Sequence, residues 1–219
     1  MSSGLLLPTI AQVRPPHLLQ ALRQLLIQEN VTLSENTQLE PLKNVNTIDG
    51  WRTSPTSKNG CEVLTADAFV VTSGAWSFDL LKETAEGLNI KPIRGQILLY
   101  ENVTEKLEHI IYSNGFYLVP RRDGLLLAGS TLEDVGFDKS TTEDVKQALK
   151  TKAENILPSL KHAPIRKHWS GLRPGTPDNL PTIAAHLSIQ NLYLNTGHFR
   201  YGLTMAPASA ARIADLVCG

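Results

Sequence analysis

The chain has 219 residues, 42% of them hydrophobic and 19% charged, which predicts a packed core and excludes a disordered chain. Lysine plus arginine and aspartate plus glutamate both number 21, so no basic surplus points to a nucleic-acid partner. No apolar run approaches the roughly 20 residues of a membrane helix, so no membrane partner is expected, and the length permits one large domain or two small ones.

In chain order, the opening Met1-Ser-Ser-Gly-Leu-Leu-Leu-Pro8 lacks a basic start and a long apolar stretch, and does not read as a secretory signal. Pro15 and Pro16 then precede Leu18, Leu19, Leu22, Leu25 and Leu26, a helical stripe that stops at Asn30. Val31 to Ser34 suits a strand. From Thr37 to Ala66, short alternating segments punctuated by Asp49-Gly50 and Asn59-Gly60 predict a small antiparallel meander. The apolar run from Ala68 to Trp76, ending in glycine and alanine, fits a buried strand of a parallel sheet, with a short helix from about Ser77 to Glu86.

Beyond Pro92 the pattern changes. Gly95–Tyr100, His109–Tyr112, Phe116–Pro120 and Leu125–Ala128 are closely spaced strands divided by Asn114-Gly115 and Asp123-Gly124, as in an antiparallel sheet. Thr141 and Asp144 have capping-box spacing before a helix that ends ahead of Pro158, and Arg166–Leu172 returns as a strand. The tail reads as a strand, Asn191–Thr196, a glycine-bounded turn, Gly197-His-Phe-Arg-Tyr-Gly202, and a small-residue helix from Leu203 to Val217.

Several segments carry candidate chemistry. In the tail turn, Gly197 and Gly202 permit close approach of a ligand to the backbone, and His198 and Arg200 sit between them, either at a site or in a plain solvated loop. In Ser170-Gly-Leu-Arg-Pro-Gly-Thr176, Arg173 is a planar donor fork suited to a carboxylate, or a structural arginine paired with an acid such as Asp178. Tyr117 shares a strand face with Val119, as a site residue or a cross-strand aromatic, and Gly129-Ser-Thr-Leu132 ends the next strand beside the same cavity. Tyr112, His168 and Trp169 read as packing residues, and Asp134, Glu143 and Asp144 as solvated or capping acids. Six histidines without ligand spacing give no metal site, and Cys61 and Cys218 fit two inert thiols in a reducing, cytoplasmic setting. No Gly-x-Ser-x-Gly elbow and no strand followed by Gly-x-Gly-x-x-Gly is present.

Together, Val70-Val-Thr-Ser-Gly-Ala-Trp76, Tyr117-Leu-Val-Pro-Arg121, Gly171-Leu-Arg-Pro-Gly-Thr176 and Gly197-His-Phe-Arg-Tyr-Gly202 with Ala206-Pro207-Ala208 closely resemble the glycine oxidases of bacterial thiamine biosynthesis, in the D-amino-acid oxidase family of FAD-dependent amine oxidases. The resemblance runs over essentially the whole chain and begins in the middle of the family sequence; the part before it would hold the phosphate loop and the first piece of the substrate domain. It implies an α/β fold of mixed α+β character: a partial FAD-binding Rossmann-like domain with a small β-meander over 1–90, an antiparallel substrate-binding domain over 91–170, and a return to the FAD-binding domain over 171–219.

The resemblance also implies roles. Arg173 would bind the substrate carboxylate, Tyr117 would orient it, and Arg200 would complete the catalytic set. Gly74, Gly171, Gly197, His198, Arg200, Tyr201, Gly202 and Leu203 would border a non-covalent FAD, and Leu132, where the family can place methionine, would line the substrate pocket. Hydride would pass from the substrate α-carbon to flavin N5, water would hydrolyse the imine to an oxoacid and ammonia, and O2 would be reduced to H2O2. The implied partners are a small amino acid or secondary amine, O2, the missing N-terminal portion or a partner subunit, and a second copy in a homo-oligomer. The chain alone is expected to be empty of FAD and inactive; a non-catalytic subunit or binding module with the same fold is the alternative.

Overall fold

The computed structural model describes residues 4–43 and 45–219, so the reading of Met1–Ser3 lies outside the described residues. The chain divides into two compact units, Met1–Gln38 with Thr53–Glu62, and Leu39–Arg52 with Val63–Gly219.

The first unit is built on helix α1, Pro15–Gln28, entered through two prolines whose missing N–H groups cost nothing in a first turn. It ends where Asn30 takes a left-handed φ of 57°. None of its residues is buried, and Leu19, Leu22, Leu25 and Leu26 are exposed. Val31–Ser34 is coil rather than the expected strand: four residues are too few to hold extended backbone without a neighbouring ladder. Hydrogen bonds hold the rest of the unit together, Gln38 N–H donating to Ser57 Oγ at 3.0 Å and Thr53 Oγ1 to the Gly60 carbonyl at 2.9 Å.

In the second unit the expected meander shrinks to β1, Trp51–Arg52, antiparallel to β2, Val63–Leu64. Asp49-Gly50 is not a hairpin turn. Gly50 keeps an ordinary φ, and a Cβ there would collide with Val63 Cγ1, so close approach rather than turning explains the glycine.

A three-stranded sheet follows, in the order β3 (Phe69–Val71), β10 (Leu192–Thr196), β9 (Thr182–Ala185). The β3–β10 pair is parallel, as the continuous apolar run predicts, although β3 is an edge strand with Val70 exposed. After β3 the chain turns through Gly74 (φ 58°) into helix α2, Ser77–Leu81, shorter than expected. Val71, Leu81, Leu192 and Leu194 enclose one core with Trp51 and Ile189. Buried polar groups are matched there. Asn191 Oδ1 accepts from Ile48 N–H and its Nδ2 donates to the Ile48 carbonyl, both at 2.9 Å. His186 Nδ1 accepts from the N–H groups of Ser188 and Ile189, which leaves Nε2 to donate to the Thr84 carbonyl at 2.6 Å.

The antiparallel sheet has five strands in the order β5 (Ile111–Ser113), β6 (Phe116–Pro120), β7 (Leu126–Gly129), β4 (Lys91–Tyr100), β8 (Ile165–Gly175). Strand β8 is longer than expected and carries the Gly-Leu-Arg-Pro-Gly segment as regular backbone paired to β4. Helix α3, Glu143–Ile156, buries Leu149 and Ala153 against Leu98, Tyr100, Phe116, Leu118 and Ala128, which occupy one face of the sheet. The N-cap is Thr142, with no side-chain cap bond, so the expected Thr141–Asp144 capping box does not form. Thr142 N–H instead donates to Gln96 Oε1 at 3.3 Å, which ties the helix start to β4 without capping its first turn. Tyr112, expected to pack, is exposed.

The same face carries Arg94, whose side chain is 5% exposed. It donates to Glu133 Oε2 at 2.6 Å and to Asp138 Oδ2 at 2.7 Å. Gln96 Nε2 and the Thr131 hydroxyl also donate to Glu133. Burial by itself would raise the Glu133 pKa, but the bonds from Thr131, Arg94 and Gln96 outweigh it and hold the carboxyl below its ordinary value. Asp138 is held low chiefly by the Ser140 backbone and hydroxyl, with Arg94 acting in the same direction.

Arg94→Ala leaves the partly buried Glu133 carboxylate with two neutral donors and no counter-charge, and is expected to lower stability by about 3 kcal/mol in urea denaturation. Both carboxyls are depressed in the fold, so their contribution is present above the ordinary carboxylate range and lost as pH falls through it. Acid loss of stability below about pH 5 should therefore be shallower in Arg94→Ala than in the parent, and equal slopes would contradict the assignment.

Candidate active site

The face of the five-stranded sheet turned away from α3 gathers the residues singled out in the sequence. Tyr117 on β6 lies opposite Gly129 on β7, Gly129 opposite Ile97 on β4, and Ile97 opposite Trp169 on β8. Two and four residues further along β8, on the same face, come Gly171 and Arg173. Strand pairing alone thus brings Tyr117 and Arg173 to one side, and Val119 joins them as expected.

Glycine shapes that face. The Arg173 guanidinium lies directly on Gly95, where any Cβ would collide with Cζ and both terminal nitrogens. A Cβ at Gly129 would stand 3.4 Å from the Tyr117 hydroxyl, so the ring tip rests over β7. Gly171 has open space above it.

Arg173 is half-buried. Its Nη1 donates to the Thr131 carbonyl at 3.1 Å and its Nη2 to Ser130 Oγ at 3.0 Å. Among the described residues no carboxylate pairs with it, and Asp178 instead accepts from Leu180 N–H at 3.0 Å. Burial pushes the Arg173 pKa below its ordinary value; the nearby Arg200 pushes in the same direction, and Tyr117 opposes them. Arg200 and Tyr117 thus each lie within electrostatic reach of the Arg173 guanidinium. Arg200, Leu132, Ser130 and Glu133 line a cavity of about 440 Å³ that extends toward Val145 and Lys152 of α3.

The tail turn is attached to this sheet. Phe199 N–H donates to the Pro174 carbonyl at 3.1 Å, one residue beyond Arg173. Gly197 has φ 81°, and a Cβ there would lie 2.9 Å from Thr176 Cγ2. Phe199 is also left-handed, at φ 46°. A hydroxyl chain ties the turn to the other glycine bend: Ser73 Oγ donates to Ser77 Oγ at 3.2 Å, Ser77 and Thr196 are 2.7 Å apart, and Thr196 Oγ1 donates to the Gly74 carbonyl at 3.3 Å. Gly74, Gly197 and Arg173 thus belong to one connected region.

Helix α4, Gly202–Cys218, starts at this turn without a side-chain cap, leaving first-turn N–H groups free. Pro207 interrupts its hydrogen-bond ladder. Tyr201 and Leu203 are exposed. His198 is not free: its Nε2 pairs with Ser209 Oγ at 2.9 Å, which pins the turn to the second turn of α4. Sequence reasoning missed Gly95, Gln96 and Glu133, whose contributions appear only once strand register is known. Among the described residues no cluster of His, Cys, Asp and Glu can hold a metal, and no helix is long and apolar enough to cross a membrane.

Burial lowers the His198 pKa from its ordinary 6.5. The fold favours the neutral ring, so its stability is complete above that value and is lost as pH falls through 6.5 toward the folded pKa. The melting midpoint should accordingly drop between about pH 7.5 and 5.5. His198→Gln should flatten that drop without abolishing it, because burial also lowers His168.

A family model described as FAD dependent oxidoreductase matches residues 1–216. The chain is 39% identical over 218 residues to a glycine oxidase from Pseudomonas putida, covering 96% of this chain and 56% of that protein. A glycine oxidase from Pseudomonas aeruginosa is 40% identical over 212 residues, with 96% and 57% covered. The crystal structure of glycine oxidase from Bacillus cereus superposes with a TM-score of 0.73 at 29% identity, covering 84% of this chain and 50% of that one. The chain spans about half the length of the curated relatives it matches. With its mixed α/β fold and this match, the chain belongs to the FAD dependent oxidoreductase family of the D-amino-acid oxidase type.

Proposed function

We propose that this chain supplies the substrate-binding sheet and the flavin-ring side of an oxidase that deaminates glycine or a related small amino acid or secondary amine. The products are an oxoacid, ammonia and H2O2. The observation that carries the reading is Arg173, a half-buried guanidinium with two neutral acceptors, a second arginine nearby and, among the described residues, no carboxylate partner. Such a group favours an incoming anion, and its fork matches a carboxylate.

In this reading residues 91–170 form the substrate side, and 1–90 with 171–219 the cofactor side. Arg173 grips the carboxylate, the Tyr117 hydroxyl orients it, Arg200 adds positive charge, and Leu132 walls the pocket. Gly74, Gly171, Gly197, His198, Arg200, Tyr201, Gly202 and Leu203 border the ring system. FAD, when bound, supplies the two-electron acceptor that takes hydride from the substrate α-carbon and passes both electrons to O2. Several local features fit its ring edge: open space above Gly171 and Gly74, and the uncapped start of α4, whose N–H groups favour negative charge. Buried Thr176 Oγ1 and Asn195 Oδ1, which lack donors beside the Gly197 turn, fit it as well. The side chains orient substrate against cofactor, and water hydrolyses the resulting imine, so no strong general base is needed. O2 and an N-terminal portion or partner subunit bearing the phosphate loop are the remaining partners, and the two exposed free cysteines support a reducing, cytoplasmic setting.

In the FAD-loaded enzyme, Arg173→Lys should raise KM for a carboxylate substrate by about 10-fold or more, since a point charge cannot replace a fork. Tyr117→Phe should change it only several-fold. An unchanged KM in Arg173→Lys would remove Arg173 from the site. Purified alone, this chain should be colourless and make no peroxide from glycine, sarcosine or D-alanine. A flavin spectrum at stoichiometric occupancy would overturn that expectation.

A further inference from the structure

We infer that Ser130 is a second donor to the substrate carboxylate, beside Arg173. The inference rests on the carboxylate reading of Arg173 given above. A serine hydroxyl has one proton and two lone pairs. Ser130 Oγ spends a lone pair on Arg173 Nη2 at 3.0 Å. A cation on that side turns the hydroxyl proton away from it, and among the described residues no acceptor takes that proton.

The neighbouring hydroxyl behaves differently. Thr131 Oγ1 accepts from Gln96 N–H at 2.8 Å and donates to Glu133, so both of its functions are used inside the protein. Of two adjacent hydroxyls only that of Ser130 is left with a proton to offer. Ser130 lines the cavity of about 440 Å³ together with Leu132 and Arg200. Arg173 has five N–H donors, of which the described residues use two, so a carboxylate can set one oxygen on the guanidinium and the other on the Ser130 hydroxyl. Ser130 is thereby oriented by the residue it assists.

The test uses the chain itself, labelled with 15N and titrated with sodium acetate at constant ionic strength, following the Arg173 Nε–H resonance. The parent should show a saturable shift. Ser130→Ala should weaken acetate binding by about 10-fold, the usual scale for a hydrogen bond to a charged group, and Ser130→Thr should return it to within about 3-fold. The acetate-free Arg173 resonance should stay in place in Ser130→Ala. Weaker binding accompanied by a displaced resonance would mean that Ser130 only positions the guanidinium, and would overturn direct donation. Equal affinity in the parent and Ser130→Ala would overturn the inference while leaving the carboxylate reading intact. An Arg173 resonance unmoved by acetate in the parent would remove both.

Discussion

One partly buried carboxylate holds the geometry of the candidate site. Glu133 is gripped by Arg94, Gln96 and Thr131, and the first two of these come from β4. The segment just after β7 is thereby fixed to the centre of the sheet. Its Ser130 hydroxyl and Thr131 carbonyl are the two acceptors that hold Arg173. The interaction matters because a buried ion pair adds little net stability but becomes expensive when half of it is removed. Its value here is positional.

The two arginines of this sheet show how a period of two divides labour. Arg94 points to the α3 side, where two acids and a serine satisfy it. Arg173, paired with Ile93 one residue earlier on β4, points to the other side and meets only neutral oxygens. The same side-chain type is matched by acids on one face and, among the described residues, meets only neutral oxygens on the other. On the second face Gly95 gives the guanidinium a floor, and Gly171 leaves open space beside it.

Much of this was legible in the sequence. Phe116–Pro120 is a strand with the bounds its composition predicts, and the parallel pairing of β3 with β10 follows from a continuous apolar run. Arg173, Tyr117 and Arg200 stood out in their motifs, and the sheet and the tail turn bring them within reach of one another. The failures share a cause. Val31–Ser34 has strand composition but, among the described residues, no ladder partner, and the capping-box spacing at Thr141 forms no cap bond, while the helix start is tied by Thr142 N–H to Gln96, 46 residues away on another element. Glu133 and Arg94 are separated by 39 residues. Contacts that depend on cross-strand register leave no local signature, so the supporting partners of the candidate site were invisible while the motif residues themselves were not.

Pro207 has a consequence for the energetics of the tail. Lacking an N–H, it leaves the Leu203 carbonyl without its partner four residues on, so the first turn of α4 is coupled to the rest of the helix by fewer bonds. His198 pairs with Ser209, beyond that break, and the turn is therefore braced past the proline rather than through it. The backbone nearest the proposed ring edge is thus a locally openable segment set in a stiff frame. Opening that turn costs less than unfolding the domain, because fewer backbone bonds tie it to the rest of the helix.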